Sequence, residues 1–189
     1  MRAFIGLSLP EDVCDVLEDM QAGLHFGRLV PREDFHLTLA FLDDQPEETL
    51  AEIHEDLDAG TWPALSLSVT GLGLFGGEKP RALFAEVASD PTLTQMRDRI
   101  RRLVRRHGVT LSHERFRPHV TLARFNPRKA QFRMGEVHAH LSDIGAVQID
   151  AVQPEALVLY HSLLGAEGAT YEPLAEYPLG ALAAPDGES

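Results

Sequence analysis

The chain has 189 residues, which fits one domain or two small lobes sharing a core, and its 44% hydrophobic and 24% charged content is that of a globular protein. A net charge of -12 excludes general adhesion to polyanions, and the single cysteine, Cys14, excludes an internal disulfide and a thiolate metal cluster. No apolar run approaches the roughly 18 to 20 residues that span a bilayer, and residues 1–10 run too soon into Glu11 and Asp12 for a signal peptide; the expected home is the cytoplasm, with no membrane partner.

Residues 2–9 read as a strand. Pro10, Glu11 and Asp12 open a helix, with proline in the first turn and acids near the positive end of the dipole. Val13, Val16, Leu17 and Met20 keep helical spacing up to a stop at Gly23, and Cys14 falls inside as a small packing residue. After a turn at Gly27 comes Phe35-His36-Leu37-Thr38-Leu39-Ala40-Phe41-Leu42. In a strand successive side chains point to opposite faces, so His36 and Thr38 share one face while Leu37, Leu39 and Phe41 share the other. Asp43-Asp44-Gln45-Pro46 breaks this run, and a second helix is expected over 47–57, closed by Gly60. Residues 65–72 alternate as a strand, and Gly71, Gly73, Gly76 and Gly77 predict a loop around Phe75 that lacks the spacing of a phosphate loop.

A strand is expected over 80–87, and Asp90-Pro91-Thr92 caps a helix over 92–107. Its apolar stripe is Leu93, Met96, Ile100, Leu103 and Val104, with arginines on the other side as a solvated face. The earlier pattern then returns as Pro118-His119-Val120-Thr121-Leu122-Ala123-Arg124-Phe125. Asn126 and Pro127 end it, 131–140 is ambiguous, and 147–152, 156–161 and 170–177 read as strands. Residues 183–189 are expected to form a disordered tail.

A single His-x-Thr marks a core or rim histidine as readily as a catalytic one, but here two copies recur in matching settings. Arg2-Ala3-Phe4-Ile5 aligns with Arg81-Ala82-Leu83-Phe84 at an offset of 79, and His36 with His119 at 83. The chain therefore reads as a duplicated α/β unit, with the two His-x-Thr strands side by side at the join. Residues 97–133 hold 12 of the 17 Lys and Arg with only Asp98 and Glu114 against them, so a positive region that includes Arg115 and Arg117 adjoins the second motif.

Histidine gives and takes protons near neutrality, so a pair with one neutral and one protonated member is a complete acid and base set. Such a pair suits in-line displacement at phosphorus, with Thr38 and Thr121 bonding the nonbridging oxygens. The rival reading uses His36 and His119 as metal ligands with His138, His140, His113 or His161; no carboxylate stands at ligand spacing beside either strand. Strict alternation aims Arg124 away from Thr121, which leaves it outside the site.

His36-Leu37-Thr38-Leu39 and His119-Val120-Thr121-Leu122, together with Phe75-Gly76-Gly77, the run 117–124 and Leu159-Tyr160-His161-Ser162, resemble the two-histidine phosphoesterase superfamily. Within it the chain looks like the RNA 2′,3′-cyclic phosphodiesterases, the LigT-like 2′-5′ RNA ligase family. The resemblance implies an α+β, bilobal fold: two pseudo-twofold-related lobes whose antiparallel sheets flank a central cleft, with helices outside. Residues 1–182 would form one domain with repeat halves of about 1–79 and 80–182. It further implies hydrolysis of RNA 2′,3′-cyclic phosphate ends to a 2′-phosphate, without metal or nucleotide cofactor, and reversible 2′-5′ ligation. His36 would be the proton donor, His119 the proton acceptor, and Thr38 and Thr121 the phosphate holders. The implied partner is an RNA end, on tRNA fragments or short oligonucleotides, met by a monomer. Alternatives are a phosphodiesterase for a small cyclic phosphate or a 2′-5′ oligonucleotide, and a module that binds RNA ends without turnover.

Overall fold

The computed structural model describes all residues except 26, 78, 114, 127–133, 145–146, 166–167 and 181–189. The expected tail at 183–189 lies outside the described residues. In chain order the elements are β1 (Arg2–Ser8), α1 (Glu11–Gln21), β2 (Arg28–Leu29), a 3₁₀ turn (Arg32–Asp34), β3 (His36–Asp44), α2 (Glu47–Asp58), β4 (Leu67–Phe75) and β5 (Ala82–Val87). There follow α3 (Pro91–Arg106), β6 (His119–Arg124), α4 (Met134–Ile144), β7 (Ile149–Val152), β8 (Ala156–Gly165) and β9 (Gly168–Pro178).

The helices start where the sequence places acids and prolines. Glu11 and Asp12 fill the first turn of α1, and the Asp90 side chain accepts the Leu93 N–H at 2.7 Å to cap α3. Along α1, Val13, Cys14, Leu17 and Met20 are buried, whereas Val16, expected in the same stripe, is exposed. The ambiguous stretch resolves as helix from residue 134. The glycine-rich stretch expected as a loop continues as strand through Phe75. A Cβ on Gly73 would stand 2.5 Å from the Phe84 ring, so glycine there makes room for a buried aromatic on the neighbouring strand.

The sheet runs β7-β4-β5-β6-β3-β1-β8-β9, with β2 on β6, and its named strands pair antiparallel. Leu37 of β3 pairs with Val120 of β6 at its centre, and about this pair the two sides match outward: β5 with β1, β4 with β8, β7 with β9. Thus β4 joins the side built on β5 and β6, and β8 returns to the side built on β1 and β3. The helices cross the join too, since α3 packs on β3 and α1 on β6. Leu37, Leu39, Leu83, Val120 and Leu122, all 2% exposed or less, form the core behind the central strands.

The equivalence of β1 and β5 is one residue off the expected offset. Gly6 pairs with Thr38 and Ser8 with His36, whereas Phe84 pairs with Thr121 and Glu86 with His119, so the matching offset is 78. A one-residue slip moves every side chain to the other face. Position 6 is therefore the counterpart of Phe84, and Phe4 that of Ala82.

Both motif strands carry a bulge just beyond the threonine. In β3 the register with β1 skips Leu39, and in β6 the register with β5 skips Leu122. Each leaves two successive buried residues, Leu39-Ala40 and Leu122-Ala123. An extra residue on one strand resets the alternation after it.

Candidate active site

The antiparallel register about Leu37 and Val120 brings His36 beside Thr121 and Thr38 beside His119, all on the face opposite the core. The four residues read from the sequence come together. Each histidine is fixed identically: His36 Nδ1–H donates to the Asp34 carbonyl at 2.7 Å, and His119 Nδ1–H to the Arg117 carbonyl at 2.7 Å. A carbonyl only accepts, so the neutral ring carries its proton on Nδ1 and keeps Nε2 free for chemistry.

Aromatic rings hold both imidazoles in place, and single-residue pattern reading missed them. His36 lies 4.6 Å from Phe4, 4.9 Å from Tyr171 and 5.6 Å from Tyr160. His119 meets the edges of Phe75 at 4.8 Å and Phe84 at 5.3 Å. By register Tyr160 and Phe75 are counterparts, since they pair with Phe4 and Ala82. His36 is the more enclosed, at 9% exposure. Burial pushes its pKa down to about 4, against the Asp34 carbonyl, which favours the protonated ring; Arg124 and His119 lower it further. His119 is lowered as well, first by burial and then by Arg124 and Arg117.

Arg124 is a correction to the alternation argument. The bulge at Leu122 returns it to the face of His119 and Thr121, where its guanidinium acts on both imidazoles and donates to the Tyr171 hydroxyl at 3.4 Å. Phe41, the same five residues beyond His36, is likewise turned out: it is 54% exposed and 5.8 Å from the Phe4 ring, not on the core face. A pocket of about 140 Å³ includes Thr38 and His119 in its lining, with Phe41, Phe75, Arg115 and Arg117. Arg117 also pairs with Glu86 at 3.1 Å and lies 4.7 Å over Phe84. A second pocket of about 440 Å³ is lined by Arg28, Phe41, Arg124 and Tyr171.

Three other histidines, His54, His107 and His140, are engaged away from this pair. His140 is buried on α4 with Nε2 at 3.1 Å from the Met20 carbonyl. His54 meets the Tyr177 hydroxyl at 2.9 Å, and His107 meets Asp56 at 2.8 Å and Glu52 at 3.2 Å. Among the described residues no three His, Cys, Asp or Glu side chains gather closely enough to hold an ion.

Two anchored imidazoles and two threonines about a pseudo-twofold axis, on a large antiparallel sheet with four α-helices among the described residues, define a two-histidine phosphoesterase fold. The chain belongs to the 2′-5′ RNA ligase superfamily, whose family model matches residues 9–154. A protein of Aeropyrum pernix named RNA 2′,3′-cyclic phosphodiesterase is 30% identical over 151 residues, 79% of this chain and 84% of its own length. The crystal structure of TT0787 of Thermus thermophilus superposes with a TM-score of 0.74 at 26% identity, over 95% of this chain and 98% of that one. E. coli LigT complexed with 3′-AMP shares the fold, with a TM-score of 0.73 at 22% identity and the same coverage.

Proposed function

We propose that this chain hydrolyses the 2′,3′-cyclic phosphate end of RNA to a 2′-phosphate. The observation that carries the reading is the matched anchoring of His36 and His119, which leaves two Nε2 atoms on one face with a threonine beside each. The name carried by the Aeropyrum pernix relative supports the substrate.

In the reaction, neutral His119 takes a proton from water on Nε2 as the water oxygen bonds to phosphorus. The bond from phosphorus to O3′ breaks, and protonated His36 gives its Nε2 proton to that oxygen. Thr38 and Thr121 donate hydrogen bonds to the nonbridging oxygens as charge builds there. Burial keeps free His36 neutral near pH 7, so the phosphate's own negative charge must raise its pKa on binding. Run in reverse with a 5′ hydroxyl in place of water, the same groups would form a 2′-5′ linkage.

The substrates in this reading are tRNA fragments or short oligonucleotides, and the protein works as a monomer in the cytoplasm. No helix among the described residues is long and apolar enough to cross a membrane. The test is incubation with an RNA ending in a 2′,3′-cyclic phosphate, in EDTA, followed by identification of the product. A 2′-phosphate is expected; a 3′-phosphate, or loss of activity in EDTA that added metal restores, would contradict the mechanism.

A further inference from the structure

Guanidinium groups are rarely buried, and when they are a carboxylate or other acceptor normally answers them. Arg97 and Arg101 stand one turn apart on α3, on the side expected to be a solvated basic face. Both are instead withdrawn from solvent: Arg101 is 8% exposed and the Arg97 side chain 13%. Arg101 donates to the Ser112 carbonyl at 2.5 Å. Arg97 lies 4.4 Å over the Phe116 ring, and its Nε is buried without a hydrogen-bond partner. Among the described residues the only carboxylate paired with either is Asp98, at 3.7 Å from Arg97. Burial lowers the pKa of both groups, as does positive charge from neighbouring arginines.

Two cations held this way cost stability unless an anion completes the arrangement. Both line the same pocket as Thr38 and His119, together with the exposed Arg115 and Arg117. The reacting phosphate is already met by two imidazoles and two hydroxyls on the strands, so this positive charge is free for a second anion. Arginine on a rigid helix suits a phosphate, because its planar fork bonds two oxygens at once.

We propose that Arg97 and Arg101 bind the phosphate on the 5′ side of the terminal nucleotide, so that the pocket selects an RNA chain end over an isolated cyclic nucleotide. This rests on the phosphodiesterase reading above. In an RNA ending in a 2′,3′-cyclic phosphate, that 5′ phosphate hangs on the same ribose as the reacting group and is the next anion along the chain. It also reconciles an acidic chain with an RNA substrate, since recognition needs one local grip and not a basic surface.

The experiment compares kcat/KM for a nucleoside 2′,3′-cyclic phosphate with that for the same compound carrying a 5′-phosphate. In the wild type the 5′-phosphate should raise kcat/KM at least about tenfold, the scale of a charge-assisted contact. That ratio should fall toward one in Arg97→Met and in Arg101→Met. Arg97→Met removes no hydrogen bond recorded among the described residues, and thermal melting checks that it folds. Arg101→Lys keeps the charge without the fork and should give an intermediate ratio. A wild-type ratio near one, or a ratio unchanged in both methionine variants, overturns the proposal while leaving the phosphodiesterase intact. Hydrolysis of neither compound, nor of a cyclic-ended RNA, overturns the phosphodiesterase reading and this inference with it.

Discussion

At the scale of single residues, the site is set by what surrounds each imidazole. The tie from Nδ1 to the carbonyl two residues back fixes ring and tautomer in both copies. Thr38→Ala and Thr121→Ala should each lower kcat roughly 10²- to 10³-fold if their hydroxyls meet developing charge, measured on a cyclic-ended RNA. The pH profile follows from the shifts. The acid, His36, must be protonated, which pH above about 4 disfavours, and the base, His119, must be neutral, which pH below its own lowered value disfavours. The optimum of kcat/KM, which reports the free enzyme, should therefore lie between the two values, below 6.5. Arg124 lowers both. Arg124→Gln should move the whole bell to higher pH; a bell that stays in place would show that Arg124 does not act on the pair electrostatically.

At the scale of elements, the sequence spoke clearly wherever one periodicity governed a segment. Helices α1, α2 and α3 lie close to their expected spans because proline, acids and an apolar stripe agree. His36, Thr38, His119 and Thr121 were legible because two residues apart on a strand means one face, and that holds short of the bulges. Arg124 and Phe41 were not, because the bulge that turns them is a relation between two strands and leaves no mark in one of them. Arg97 and Arg101 flank the apolar stripe of α3, and only their contacts with the Ser112 carbonyl and the Phe116 ring show that they are enclosed. The clamp that holds α1 against the motif strand was likewise invisible: Gln21 Nε2 donates to the Val30 carbonyl at 2.8 Å and the Leu122 carbonyl at 2.6 Å. Gln21→Ala removes both donors from a buried site and should cost about 1 to 3 kcal/mol in urea unfolding. No loss of stability would mean that water replaces the amide.

At the scale of the whole molecule, the matched strand order places one imidazole on each side of a seam whose strands touch at Leu37 and Val120, with β4 and β8 reaching across the sequence order to flank it. Enclosure of His36 links this design to stability. Its folded pKa lies below the unfolded 6.5, so the unfolded chain binds a proton that the folded one refuses as pH falls from 6.5 toward 4, at a loss of about 3 kcal/mol. Asp34, whose carboxyl burial pushes up, acts in the opposite sense at the acid end. His36→Asn should flatten the fall of melting temperature over that window; an identical fall in wild type and variant would place the cause elsewhere. The most direct measurement is the kinetics of His36→Ala, His119→Ala and the double variant on an RNA with a 2′,3′-cyclic phosphate end. If both rings act on one phosphorus atom, each single change should lower kcat roughly 10²- to 10⁴-fold, and the double variant should be little worse than either. A single variant with wild-type kcat, or losses that multiply as for independent sites, would contradict a shared acid and base pair.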